Sequence, residues 1–207
     1  MAQQLEGLLD PVEVERRKAA LLADLDGGLD NVQIVQRRII YGLPLAIDAE
    51  AYMRLKHDLA HALDPDLHPS SLAMVGSAKL GFSIKPTRFM QPFCDVSDID
   101  MAVVSDALFT RVWSEVFSLT EDQFHWEDEA AFKKYLFRGW IRPDMMPLEA
   151  GPHWCTRWHE ALDGINASGQ YGPYPVKVGL YHSWHFLERY QCRQIQYCRD
   201  QRSMGKL

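Results

Sequence analysis

The segment from Asp98 to Val104 constrains the fold more than any other part of this sequence. It alternates acidic and apolar residues as Asp98-Ile99-Asp100-Met101 and is then wholly apolar up to Val104. This pattern is typical of a strand that is buried at one end and opens onto a site at the other. Because side chains alternate across a strand, Asp98 and Asp100 (the acid pair) project from the same face. The sequence therefore predicts a buried strand with two carboxylates at the end that opens onto a site.

Two neighbouring carboxylates predict a bound cation. Carboxylates side by side repel each other unless a positive charge lies between them. Mg²⁺ meets that need, because it prefers hard oxygen ligands and usually binds one or two carboxylates together with phosphate oxygens and water. The alternative is a pair of solvated acids at an exposed strand end or turn, since Ser97 and Asp98 are both common in turns. We favour the metal site because of the motif that precedes it.

That motif is Gly76-Ser77, which follows the short apolar run Leu72-Ala73-Met74-Val75. Glycine lets a phosphate approach the backbone closely, and the serine hydroxyl and the following amides can donate hydrogen bonds to it. A helix that begins there would add the favourable field of its N-terminus. The apolar run therefore predicts a second strand, and the turn after it predicts a phosphate site.

The rest of the chain mixes helical and strand patterns, which predicts an α+β protein. Helical periodicity covers residues 11–25, 48–63, 106–119, 121–138 and 183–202. Residues 176–180 form a candidate third strand, and residues 143–175, rich in Pro, Gly, Trp and Asn, predict loops. We expect a helical N-terminal extension in residues 1–47 and one domain in residues 48–207.

The bulk properties of the chain are those of a soluble globular protein. Of the 207 residues, 47% are hydrophobic and 24% are charged, and no run approaches the ~20 apolar residues that cross a bilayer. The first residues lack the basic and apolar regions of a secretory signal, so we expect a cytoplasmic protein that binds no membrane. The net charge of -6 argues against indiscriminate binding to duplex DNA. Four widely spaced cysteines without a C-x-x-C pair predict reduced thiols.

In order along the chain, Val75-Gly76-Ser77 and then Ser97-Asp98-Ile99-Asp100 resemble the signature of the DNA polymerase β-like nucleotidyltransferase superfamily. The resemblance covers roughly residues 48 to 104. It implies a small mixed β-sheet flanked by helices, the nucleotidyltransferase fold. It also implies Mg²⁺- or Mn²⁺-dependent transfer of a nucleotidyl group from a nucleoside triphosphate to a protein, a nucleic acid or a small molecule. Small stand-alone members of this superfamily are often bacterial and modify antibiotics or proteins, or act in toxin–antitoxin and antiviral defence systems.

The resemblance also implies roles for individual residues. It assigns nucleotide binding to Gly76-Ser77 and Lys79, and metal binding and catalysis to Asp98 and Asp100. Two metal ions would activate the attacking oxygen and stabilise the leaving pyrophosphate. Lys85 is the alternative to Lys79 as the positive charge near the triphosphate.

The sequence departs from the superfamily at the third metal-binding acid. That carboxylate usually comes from a later strand, but the candidate strand at 176–180 has none, and alternation puts Lys177 on the face where the acid belongs. Asp144, Glu149 and Asp163 are substitutes in loop-like sequence. Two alternatives follow: an active enzyme with a displaced third acid, or a degenerate domain that binds a nucleotide or a protein. An acid opposite the acid pair would favour transfer, and a lysine there would argue against it.

Other motifs have simpler interpretations. His57-Asp58-Leu59-Ala60-His61 has the histidine spacing of helical zinc sites, but aspartate stands where those sites have glutamate, and no third ligand is evident. We therefore interpret both as surface histidines. His153, Cys155 and His159 lie among tryptophans and predict a packed aromatic loop. The arginines and tyrosines of the last helix predict a core-packing helix whose arginines meet solvent.

Overall fold

The computed structural model of the chain describes residues 9–146 and 153–206. It is an α+β protein with a small mixed sheet of four strands and helices on both faces. The strands are β1 (Leu72–Val75), β2 (Ile99–Val104), β3 (Trp140–Ile141) and β4 (Val176–Tyr181). The helices are α1 (Pro11–Asp26), α2 (Asn31–Val35), α3 (Ala49–Leu63), α4 (Gly76–Leu80), α5 (Asp106–Glu121), α6 (Glu129–Leu136), α7 (His153–Ser168) and α8 (Trp184–Ser203). A π-helical turn, Gln36–Ile40, continues α2.

The strand order β1-β2-β4-β3 puts the acid-bearing strand β2 in the interior of the sheet. β1 pairs with β2 in antiparallel fashion, with Val75 opposite Asp100. β2 pairs with β4 in parallel fashion, with Lys177 opposite Asp100 on the other side. β3 is antiparallel to β4 and pairs with Leu180 and Tyr181. Asp100 is therefore flanked by the end of the Gly-Ser strand on one side and by a lysine on the other.

Different helices cover the two faces of the sheet. Met101 and Val178 point to one face, where α3, α5 and α7 contribute to a buried apolar cluster. Ala102 and Tyr181 point to the other face, where α1, α2 and α8 contribute to a second cluster. Because alternate residues of a strand share a face, Asp100 lies on the same face as Ala102. The acid pair thus belongs to the face that α1, α2 and α8 cover.

Most of the elements predicted from the sequence are confirmed. β1, β2, β4, α1, α3, α5 and α8 lie where the pattern predicted them, with ends that differ by one or two residues. The helix predicted at 121–138 is shorter, because α5 runs on to Glu121 and α6 begins only at Glu129. These differences are of the size expected when helix ends are read from a pattern alone.

The prediction of loops throughout 143–175 is wrong, because α7 occupies much of that stretch. Its tryptophans, glycine and asparagine suggested irregular structure. Cys155, Trp158, Leu162 and Ile165, however, recur at intervals of three and four residues and pack on the first apolar cluster. A stripe of this kind buries one face of a helix, and that burial outweighs the weak helix propensities of the residues between.

Two further expectations concern membrane-spanning helices and the state of the cysteines. No helix within residues 9–146 or 153–206 is both long enough and apolar enough to span a bilayer. The four cysteines are free thiols, and three of them are buried. Burial raises the pKa of the Cys155 thiol to about 11 and that of the Cys198 thiol to about 12, so both stay protonated near neutral pH.

A buried hydrogen bond holds the outer edge of β1. The main-chain N–H of Met74 donates to the hydroxyl of Tyr52 over 3.1 Å, and both residues are buried. We predict that Tyr52→Phe lowers the free energy of unfolding by about 1–3 kcal/mol, because it leaves a buried N–H without a partner. Urea denaturation followed by circular dichroism measures the change.

Tyr41→Phe is the matched control, since Tyr41 is 64% exposed. Its free energy of unfolding should change by less than about 0.5 kcal/mol. Equal losses in the two variants would show that the hydroxyl of Tyr52 does not stabilise β1.

Candidate functional site

The Gly76-Ser77 turn and the acid pair are in direct contact. β1 ends at Val75, and Gly76 turns the chain into α4 with a φ of 71°. A Cβ at this position would lie 2.7 Å from Oδ2 of Asp100, closer than real side chains approach. Glycine suits both the left-handed backbone conformation and this contact. The predicted phosphate turn therefore lies against the second acid of the pair.

A cavity of about 630 Å³ opens at this contact. Gly76, Ser77, Asp98 and Asp100 all line it, so the structure brings together four of the five predicted site residues. The volume lies within the range of about 300–1,000 Å³ that is usual for small-molecule and cofactor sites. The cavity is large enough for a ligand that contacts the turn and the acids at once.

Each carboxylate of the acid pair is matched by one lysine. Nζ of Lys177 lies 2.8 Å from Oδ2 of Asp98, and Nζ of Lys85 lies 3.4 Å from Oδ2 of Asp100. The lysine side chains are 63% and 55% exposed, so water screens these ion pairs and they contribute little to stability. Either lysine can move away when a stronger cation approaches the carboxylates.

The surroundings of Asp100 oppose its negative charge. Burial raises the pKa of the Asp100 carboxyl above its ordinary value, Lys85 lowers it, and the neighbouring charge of Asp98 raises it. A divalent cation between the two carboxylates would favour the ionised form of both. A cation beside the acid pair would therefore lower the cost of keeping both carboxylates ionised.

Lys79 does not reach the cavity, and we correct its predicted nucleotide-binding role in favour of Lys85, which lines the cavity. Lys79 is only 1% exposed, and its ammonium donates a hydrogen bond to the carbonyl of Gly42. Burial lowers the pKa of this ammonium to about 8. The loop that contains Gly42 stays beside α4 because the amide of Ala46 donates to the carbonyl of Ala78 over 3.0 Å.

A lysine, not an acid, stands beside the acid pair on the neighbouring strand. Lys177 of β4 is the partner of Asp100 in the parallel register. Among residues 9–146 and 153–206, no group of three His, Cys, Asp or Glu side chains is arranged to hold a metal ion. In the described part of the chain, the acid pair is therefore joined by Lys177 and not by a third acid.

Neither of the described substitute acids joins the acid pair. Asp144 and Asp163 both line the cavity, but Asp144 is paired with Arg142 at 2.5 Å. Asp163 lies on α7 rather than in the loop that the sequence suggested. Glu149 lies outside the described residues.

The sequence reasoning missed an aromatic wall of the cavity, formed by Trp140, Tyr181 and Tyr190. Trp140 stacks on Tyr181 with ring centroids 5.4 Å apart and planes within 9°, and it meets Tyr190 edge-on at 4.7 Å. A Cβ at Gly179 would lie 2.5 Å from Nε1 of Trp140, so glycine within β4 makes room for the indole. An isolated glycine inside a strand pattern is the signal in the sequence for such a close approach.

The histidines lie mostly outside this site. His57 and His61 are exposed on α3, where the sequence predicted surface histidines. His153 and Cys155 belong to α7, a packed helix rather than the packed loop that we expected. His159 of α7 lines the cavity, and its Nε2 has no hydrogen-bond partner among the described residues.

Comparisons with protein-family models, with curated proteins and with solved structures find no match to this chain. The link to the nucleotidyltransferase superfamily is therefore the resemblance of the two motifs. The geometry of the cavity carries the rest of the functional argument.

We predict that Gly76→Ala lowers the free energy of unfolding more than Gly28→Ala does. The two glycines have φ values of 71° and 81°, so both variants carry a similar backbone penalty of about 1–2 kcal/mol. Only the new Cβ at position 76 meets a neighbour, since nothing lies within 4 Å of a Cβ at position 28. The difference, measured by urea denaturation, should be about 1 kcal/mol or more.

Asp100→Ala provides the control, because it removes the carboxylate that the new methyl group would meet. In that background the two glycine substitutions should differ by less than about 0.5 kcal/mol. An equal cost of both substitutions in the native background would mean that the turn and the acid are not in contact.

Proposed function

We propose that the chain binds a nucleoside triphosphate together with one divalent cation, and that it does so without transferring the nucleotidyl group. The observation that carries this proposal is the contact between the backbone of Gly76 and the carboxylate of Asp100. It supports a site in which phosphate oxygens lie against the turn and share a cation with the acids. The resemblance of the two motifs to the superfamily supports the same ligand.

Main-chain amides and lysines would hold the phosphates. Ser77 offers its hydroxyl, and the first amides of α4 offer donors that no carbonyl within the helix uses. α4 has only five residues, so its dipole adds little beyond these local donors. Lys85 and Lys177 line the same cavity, and a cation that releases them from the acid pair leaves their ammonium groups beside the phosphates.

Asp98 and Asp100 would hold the cation, Mg²⁺ or Mn²⁺. One or two carboxylates with phosphate oxygens and water form the octahedral oxygen set that Mg²⁺ prefers. The cation would neutralise part of the triphosphate charge and remove the repulsion between the two acids. The raised pKa of Asp100 supports this fit, because it marks a carboxylate whose charge the protein alone does not fully compensate.

Lys177 is the reason why we propose nucleotide binding without nucleotidyl transfer. A two-ion mechanism needs a carboxylate that holds the ion activating the attacking oxygen. Lys177 lies opposite Asp100 in register, and its ammonium contacts Asp98. Even after a first cation releases it from Asp98, this lysine still lines the cavity, and its positive charge disfavours a second metal ion because nearby like charges repel. This arrangement supports a protein that senses a nucleotide or presents it to a partner.

Nucleotidyl transfer to a protein, a nucleic acid or a small molecule is the second candidate, and Asp163 favours it. Asp163 lines the same cavity and makes no ion pair or hydrogen bond within the described part of the chain. A carboxylate in that state is able to take a proton from an acceptor hydroxyl. In this alternative one cation would serve the triphosphate, and Asp163 would act as the base in place of the missing acid.

The binding proposal predicts that the acid pair carries a metal-dependent affinity. Isothermal titration with nucleoside triphosphates should give affinities at least about tenfold higher with Mg²⁺ than without it. Asp98→Asn combined with Asp100→Asn should abolish this difference, because amides bind Mg²⁺ more weakly than carboxylates. Asp95→Asn, at an exposed acid before β2, is the control and should leave the difference unchanged. A triphosphate affinity that changes neither with Mg²⁺ nor on substitution of the acid pair would overturn the proposal.

Pyrophosphate release separates the two candidates. The chain is incubated with γ-labelled triphosphates, whose label leaves with the pyrophosphate, together with Mg²⁺ and either total RNA or total bacterial protein as acceptor. We expect no more pyrophosphate from the wild-type chain than from the variant with both Asp98→Asn and Asp100→Asn. Release above that level would establish transfer instead, if Asp163→Asn lowers it by about a hundredfold and Glu160→Gln on the same helix preserves it.

A further inference from the structure

One part of the cavity wall consists of aromatic rings and amides rather than charged groups. Trp140 and Tyr190 belong to the aromatic wall, and Gln191 and Gln194 line the cavity from the same helix as Tyr190. This part differs in chemistry from the acid pair and its two lysines. It suits a flat, uncharged group that can form hydrogen bonds.

The two glutamines have unused hydrogen-bonding capacity. Gln191 is only 4% exposed and lines the cavity, and its side chain makes no hydrogen bond to any residue in 9–146 or 153–206. Oε1 of Gln194 is also buried and has no partner in this part of the chain. Proteins rarely leave a buried acceptor such as Oε1 of Gln194 unpaired, because its desolvation is costly. A bound group with its own donors and acceptors would satisfy both glutamines.

The aromatic wall offers ring surface at a fixed position. Trp140 is held by its stacking on Tyr181 and by its close approach to Gly179. Tyr190 meets the indole edge-on, with ring centroids 4.7 Å apart. The indole is also in contact with Tyr135 and lies under Arg142, so Tyr190, on which no other described ring is stacked, is the ring left for a base. Stacking on such a ring stabilises a nucleobase, and hydrogen bonds from neighbouring polar side chains then distinguish one base from another.

The open edge of β4 adds a main-chain donor and acceptor. Alternate residues of a strand direct their N–H and C=O groups to the same edge. At Val176 these groups pair with the side chain of Asn166, at 2.7 and 3.3 Å, and Leu180 pairs with β3. Val178 lies between them on the same edge and lines the cavity. The main-chain N–H and C=O of Val178 therefore point away from β2, toward the edge that β3 leaves uncovered.

We propose that Trp140, Tyr190, Gln191 and Gln194 form a base subsite that selects adenine in the bound triphosphate. The proposal rests on the function proposed above. A primary amide offers a donor and an acceptor side by side, and this pair matches N6 and N7 of adenine. The Gly76-Ser77 turn and the base subsite line the same cavity, which is the arrangement that a single bound nucleotide would need.

Guanine and cytosine lack their usual partners in the base subsite. Guanine is most often recognised by an arginine that presents two donors to O6 and N7. Arg142, which lines the cavity, is engaged by Asp144 at 2.5 Å and lies over the ring of Trp140 at 5.5 Å. Cytosine is usually recognised by a carboxylate that accepts from its amino group, and the base subsite contains no acid.

The test is isothermal titration of the full chain with ATP, GTP, CTP, UTP and inorganic tripolyphosphate, all with Mg²⁺. We expect ATP to bind at least about tenfold more tightly than the other three nucleotides. Gln191→Met combined with Gln194→Met should reduce this preference to less than about threefold. Binding of tripolyphosphate should not change, since it has no base. Methionine is close to glutamine in size, so the packing of α8 is retained.

Gln196→Met is the matched control, because Gln196 lies on the exposed side of α8 and outside the cavity. It should preserve the preference for ATP. Gln194→Met alone, at a half-buried position, tests the same contact if the double variant melts at a lower temperature than the wild-type chain.

The outcomes distinguish this inference from the function on which it rests. If neither tripolyphosphate nor any triphosphate binds with Mg²⁺, both proposals are overturned. If tripolyphosphate and all four nucleotides bind with equal affinity, or if another base is preferred, the adenine subsite is wrong and the phosphate site stands. A preference for ATP that survives the double glutamine substitution also overturns the subsite.

Discussion

The contact between the backbone of Gly76 and the carboxylate of Asp100 is the constraint on which the site depends. It follows from the antiparallel pairing of β1 with β2, which puts Val75 opposite Asp100 and makes the chain turn where the acids begin. The buried hydrogen bond from Met74 to Tyr52 stabilises β1 beside β2. A side chain at position 76 would meet the carboxylate at 2.7 Å. The Gly76-Ser77 turn and the acid pair are therefore two parts of one strand pair.

The balance of charges explains why such a site is stable before a ligand arrives. Lys177 and Lys85 each neutralise one acid, and both lysine side chains are more than half exposed. Ion pairs of this kind contribute little to stability, so a divalent ion can replace a lysine at small cost. Under the proposed function, the displaced ammonium groups would still line the cavity. Because the chain has a net charge of -6, the triphosphate binding that we propose would depend on this local cluster rather than on overall charge.

The sequence predicted those parts of the site that depend on local pattern. Alternation along β2 predicted that both acids share a face, and the glycine after β1 predicted the turn. The burial of Lys79 was not predictable in this way, because it depends on the carbonyl of Gly42, which lies 37 residues away in the chain. The aromatic wall likewise joins Trp140 to Tyr190 across a separation that no periodicity describes. The nucleotidyltransferase fold itself remains an expectation from two motifs.

One face of β4 connects the two ends of the cavity. Lys177, Gly179 and Tyr181 are alternate residues and therefore share that face. The first reaches the acid pair, the second makes room for the indole of Trp140, and the third stacks on that indole. Lys177 and Tyr181 are four residue steps apart, about 13 Å along the strand. An extended ligand would therefore pass from the acid pair to the aromatic rings along a single strand. Lys177 therefore sets the chemistry at one end of this path, and the aromatic wall sets it at the other.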